Sequence, residues 1–171
     1  MRLSGDIIGL FIAASVTDHG KAARLLRQHP ELREASWLGD ERLINFLVIK
    51  NHCDGVRFCL QNGFDANQSD GEFGDSPLHY ACMLDYSEMV ILLLEFGADC
   101  NAVSCINDTP LHCCVRNGNS EIADLLLSHG ADPNYTTELD ETIFDNWPDD
   151  STKQAGLALI LQQHNVQVPG R

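Results

Sequence analysis

The chain repeats itself at a fixed interval, and that interval restricts its fold more than any local propensity does. Ser76-Pro77-Leu78-His79-Tyr80-Ala81 returns 33 residues later as Thr109-Pro110-Leu111-His112-Cys113-Cys114. The segments behind them match as well: Leu92-Leu93-Leu94-Glu95-Phe96-Gly97-Ala98-Asp99 aligns with Leu125-Leu126-Leu127-Ser128-His129-Gly130-Ala131-Asp132. A unit of this length cannot bury an apolar face alone. Copies must stack on one another, and the stack becomes the core of a solenoid.

The register extends in both directions. Arg42-Leu43-Ile44-Asn45-Phe46-Leu47 lies 34 residues before Ser76, and the glycine-bearing stretch Asp70–Asp75 can absorb the extra residue. Another step back of 33 reaches Gly9-Leu10-Phe11-Ile12-Ala13-Ala14. A step forward from Thr109 reaches Thr142-Ile143-Phe144-Asp145-Asn146-Trp147. This gives five repeats, approximately 5–37, 38–70, 71–104, 105–137 and 138–165, in a single domain over 1–171. The end copies are degenerate, as expected where an outer face meets water.

Local chemistry predicts a helical hairpin in each unit. Ser76 and Thr109 suit an N-cap, where a side-chain oxygen satisfies an orphan N–H. Pro77 and Pro110 follow at the first helical position, where no N–H is needed. The first helix is predicted from Pro77 to about Leu84 and the second from Ser87 to Glu95. Gly97 and Gly130 close the second helices in a left-handed conformation. Ala98–Asn101 and Ala131–Asn134 read as turns.

These motifs resemble the ankyrin repeat. The resemblance implies an all-α solenoid of stacked helix-turn-helix units with short turn or β-finger connections, built to bind a protein. It implies that His79 and His112 tie neighbouring repeats by hydrogen bonds. That role does not carry onto Asn45, Ile12 or Asp145, which replace the histidine. It also implies a concave binding face made of the turn tips and the ends of the first helices. Here those positions hold Trp37, Leu38, Asp40 and Glu41; Phe73 and Asp75; Met83 and Tyr86; Ile106, Asp108 and Arg116; Leu139 and Glu141; and Asp149 and Asp150. Apolar residues in a row, rimmed by charge, point to an interface. A tip side chain can instead fold back onto the stack.

The balance of 25 acids against 11 bases, a formal charge of −14, disfavours nucleic acid and anionic membranes and favours a basic protein partner. Apolar runs fall short of a membrane span of roughly 18 residues. Seven cysteines form no C-x₂-C pair, and Cys82 and Cys114 occupy small apolar positions of the repeat. They read as reduced structural thiols in a reducing, cytoplasmic compartment. No phosphate loop, nucleophile elbow or His-Glu-x-x-His motif is present, so no enzyme, cofactor or metal is expected. The Asp149-Asp150 pair reads as an acidic helix start. A monomeric stoichiometric binder or inhibitor of a basic protein is expected, including the immunity-type neutralisers of toxins. The alternatives are a scaffold or adaptor, and a sensor using Cys and His for metal or redox chemistry.

Overall fold

The structure is a computed structural model and describes residues 3–37, 40–71, 74–145 and 147–168. Among these, α1 (Gly5–Thr17) and α2 (His19–Gln28) lead into a 3₁₀ turn (Pro30–Glu34) and a small antiparallel ribbon, β1 (Ser36–Trp37) with β2 (Glu41–Arg42). Three complete hairpins follow: α3 (Leu43–Ile49) with α4 (Cys53–Gln61), α5 (Pro77–Met83) with α6 (Ser87–Glu95), and α7 (Pro110–Asn117) with α8 (Ser120–Ser128). Helix α9 (Ser151–Gln163) ends the stack. Inner helices α3, α5 and α7 pack in file, and outer helices α4, α6, α8 and α9 form a second layer. This is the all-α solenoid that the 33-residue register predicts.

Local signals appear where the sequence places them. Ser76 caps α5, and its hydroxyl and backbone N–H both meet His79 Nδ1. Thr109 and His112 repeat that box on α7. Gly97 and Gly130 take φ of 80° and 91°, a region that a side chain disfavours. Leu78, Leu92, Leu93, Leu111, Ile122 and Leu126 are fully buried and join the hairpins into one core.

The two ends depart from the regular pattern. Helix α1 packs chiefly against α2 and α4 instead of joining the file of inner helices. Phe11 stacks on Phe64 with 5.8 Å between centroids and leans on Phe58 at 6.3 Å. At the other end, Thr142–Asp145 makes one turn and no first helix. The turn starts correctly: Asp145 accepts from the Thr142 N–H at 2.6 Å and from its hydroxyl at 2.8 Å, so Asp145 fills the histidine's capping role. Pro148 then stops it. Its ring would clash with the carbonyl four residues earlier, and it disfavours helical backbone at Trp147. The expected first helix of the last unit is therefore corrected to a single capped turn.

Helix α9 covers that end with few anchors. Asp150 accepts from the N–H groups of Thr152 and Lys153, Lys153 donates to the Asn117 carbonyl at 2.8 Å, and Leu157 and Leu161 are buried. We expect Leu93→Ala and Leu126→Ala each to cost about 2–5 kcal/mol in urea unfolding. Leu161→Ala should cost less, since α9 has a stacking neighbour on one side only. Equal losses at all three positions would contradict the stacked architecture.

Candidate functional site: the turn tips

Three tips recur with one backbone geometry. In each, an N–H donates to a carbonyl a few residues on: Asp70 to Asp75, Ser104 to Asp108 and Thr137 to Glu141, at 3.1, 3.0 and 2.9 Å. The first span is one residue longer, which is where the 34-residue spacing is absorbed. Each tip then carries a left-handed residue, Gly74, Asn107 or Asp140, just before its acid. The residues before Asn107 and Asp140 are thrown outward: Ile106 is 66% exposed and Leu139 79%. Phe73 is their counterpart, and Leu38 belongs to the tip before it; both lie outside the described residues.

The acceptor carbonyls also tie the tips to the preceding repeat. His79 Nδ1 accepts from the Ser76 N–H at 3.2 Å, so its proton lies on Nε2, which donates to the Asp108 carbonyl at 3.0 Å. Asn45 makes the same tie one repeat earlier, donating through Nδ2 to the Asp75 carbonyl at 3.3 Å and to Asp70 Oδ1 at 2.6 Å. This corrects the expectation that the tie stops at Asn45. His112 also departs from expectation. Its Nε2 is buried and finds no acceptor among the described residues, while Tyr135 meets its ring edge-on at 5.9 Å. A second ladder runs along the other edge, in segments whose residue chemistry alone predicts plain turns. Asn67 bonds the Gly97 carbonyl and the Asp99 N–H, and Asn101 does the same to Gly130 and Asp132.

Side chains nominated from the sequence divide accordingly. Trp37 turns inward, 6.1 Å from Phe46 and against Gly9, where a Cβ would approach its ring to 3.5 Å. Asp108 is a second correction: it is buried, and its carboxylate is held by Arg116. A buried, paired carboxylate organises the tip and does not act as a free steering charge. Tyr86 is half-buried against the core. Asp149 is exposed, and Asp150 caps α9, the acidic helix start that the sequence predicts. Asp40 and Glu141 are exposed, Glu41 and Asp75 are half-buried, and Met83 is 37% exposed, next to Leu84 at 40%.

Negative charge concentrates between the first two tips. Buried Asp70 accepts from the Arg42 N–H at 2.9 Å, from Asn45 and from the Tyr80 hydroxyl. Burial and the Asp70 charge push the Glu41 carboxyl above its ordinary value, with Lys50 opposing. Burial does the same to Asp75, with His79 opposing and Asp70 and Asp108 adding to it. A cationic partner group would relieve both.

The thiols are built into the packing. Cys59, Cys82, Cys100, Cys113 and Cys114 are buried, and Cys105 is exposed at a tip. Burial pushes the Cys113 thiol up to about 12 and raises Cys82 and Cys114 as well. Among the described residues no three His, Cys, Asp or Glu side chains gather as metal ligands, and no helix is long and apolar enough to cross a membrane.

The family model for ankyrin repeats matches residues 44–137 in three copies. The chain belongs to the ankyrin-repeat family. The matched span coincides with the three complete hairpins and their tips, and ankyrin repeats are protein–protein interaction modules. The chain is also similar to human palmitoyltransferase ZDHHC13, 39% identical over 57 residues, and to ZDHHC17 of Danio rerio, 32% identical over 57 residues. Each match takes in 33% of this chain and 9% of the relative, so the chain spans about a tenth of those proteins' length.

Acid should weaken the stack through its histidines. Burial holds His79 and His112 below the ordinary value, so the unfolded chain binds more protons below about pH 6.5. Their contribution is complete above that value and is lost as pH falls through it. Glu41 and Asp75, raised by burial, act with the opposite sign: their cost appears as pH rises through the carboxylate range. We expect the urea midpoint to drop from about pH 7.5 to about pH 6. His79→Asn should reduce that drop, since Asn45 shows that an amide can hold the same carbonyl. A flat profile over this window would contradict the neutral, buried imidazoles.

Proposed function

We propose that this chain is a non-enzymatic binder of a basic protein, which it grips through the tips of its central repeats. The observation that supports this most is that one repeated tip geometry throws Ile106 and Leu139 outward, while Asp75 and Glu141 on such tips and Asp40 and Glu41 on the neighbouring ribbon make no ion pair among the described residues. Of the bases beside them, Arg116 is committed to Asp108, Lys50 lies over the Phe46 ring, and Arg42 donates its guanidinium to the Ser69 and Glu34 carbonyls. Exposed aliphatic groups supply the desolvated contacts that slow dissociation, and the carboxylates supply the field that speeds encounter. A stoichiometric inhibitor, the toxin-neutralising type included, would use such a face, and so would an adaptor. The buried, high-pKa thiols fit a reducing, cytoplasmic setting.

Immobilised protein should capture basic proteins from its source cell, identified by mass spectrometry. Asp40→Lys with Glu41→Lys should lose them. With a captured partner, surface plasmon resonance should show slower association for that variant, an effect that shrinks with salt over a Debye length of about 8 Å. Leu139→Ala and Ile106→Ala should mainly speed dissociation, by about 1–2 kcal/mol each. Capture of the same proteins by parent and charge-reversed variant would contradict this reading.

A further inference from the structure

One helix carries basic charge and no acid. Helix α2 reads His-Gly-Lys-Ala-Ala-Arg-Leu-Leu-Arg-Gln over His19–Gln28: three of the chain's 11 Lys and Arg residues and no acid. Lys21, Arg24 and Arg27 are all exposed, and none forms an ion pair among the described residues. The nearby acids are few. Asp18 caps the helix by accepting from the Lys21 N–H, and Glu31 pairs with His29. Basic charge left unpaired is conspicuous on a chain of net charge −14.

A groove of about 230 Å³ runs beside this face, lined by Ala23, Leu26, Arg27, Pro30, Arg33 and Asn62. Its lining is mixed: Ala23 and Pro30 supply aliphatic surface, and Asn62 with two guanidinium groups supplies polar surface. Arg33 is held in place, donating through Nε to the Asn62 carbonyl at 2.8 Å and through Nη1 to the Pro30 carbonyl at 3.4 Å. With Nε and Nη1 engaged, the Arg33 guanidinium keeps its Nη2 donors for an incoming group. Its planar fork matches a carboxylate bidentately, where an ammonium offers only a point charge.

We propose that the basic face of α2 and this groove form a second docking surface, for an acidic peptide segment of a protein partner. Carboxylates of the segment pair with Arg24, Arg27 and Arg33, Lys21 extends the field along the helix, and aliphatic parts of the segment lie on Ala23 and Pro30. Charge complementarity selects the occupant. The surface shares no residue with the tips, so a chain bound to a basic protein through its tips keeps it free. The protein thereby joins an acidic partner to a basic one.

Fluorescence anisotropy of a labelled oligoglutamate peptide with the full chain at low ionic strength tests this. The peptide should bind saturably. Arg24→Glu with Arg27→Glu should weaken it at least about tenfold, as loss of close charge pairs does. Arg57→Glu on α4, also an exposed arginine, should leave binding within about twofold, since it changes total charge but not this surface. Lys21→Glu, outside the groove, repeats the test should the double variant fold poorly by circular dichroism. Inorganic phosphate and vesicles of anionic lipid, titrated in parallel, should compete weakly or not at all. The proposal is overturned if oligoglutamate shows no saturable binding, if Arg57→Glu weakens it equally, or if phosphate or vesicles bind while the peptide does not.

Discussion

One hydrogen bond sets the geometry of the central repeats: a buried side chain on an inner helix donates to the carbonyl that closes the next tip. Asn45 makes it to Asp75 and His79 makes it to Asp108. Apolar burial supplies most of the stabilisation but is non-directional, so it leaves adjacent hairpins free to slide. A directional bond to a buried carbonyl does not. Leaving such a group unmet costs about 1–3 kcal/mol, so each tip is held at one height relative to the last. Ile106 and the acids of the neighbouring tips thereby come to line one edge of the stack.

The same bond explains where regularity ends. The buried His112 Nε2 meets no acceptor among the described residues, and the segment beyond it is one capped turn stopped by Pro148. Helix α9 compensates from the outer layer. His164 Nε2 meets Asp124 at 2.7 Å, and Lys153 holds the end of α7. Leu139 rises from this less constrained end, which is consistent with its being the most exposed large apolar side chain among the described residues.

Much of this was legible in the sequence because the repeat encodes it. The caps at Ser76 and Thr109, the left-handed Gly97 and Gly130, and the helix from Ser87 to Glu95 all follow from residue chemistry at fixed offsets. Other features were not legible, for identifiable reasons. Asn45 looked like a loss because a motif compares residue types, whereas the tie needs only a donor of suitable reach. Asp108 looked like an exposed tip charge because its partner, Arg116, stands a full inner helix away. Trp37 looked like an anchor, and its inward turn depends on space left by Gly9, far off in the chain. Pro148 was a readable signal: proline at the sixth position of a predicted helix argues against that helix. The basic run on α2 was also in plain view, but its meaning depends on the groove beside it, which only the fold creates.

Function follows from how rigidly the tips are presented, since a preorganised face loses little freedom on binding. That rigidity rests on the inter-repeat bond, and the state of its donor is directly observable. Long-range nitrogen–proton NMR of the His79 imidazole should show the neutral Nε2–H form at neutral pH, with a slowly exchanging Nε2 proton. It should remain neutral somewhat below the ordinary histidine value of about 6.5, because burial opposes its charging. An Nδ1–H tautomer, a rapidly exchanging Nε2 proton, or an imidazolium at about pH 6.5 would contradict the tie on which this account of the stack and its binding face depends.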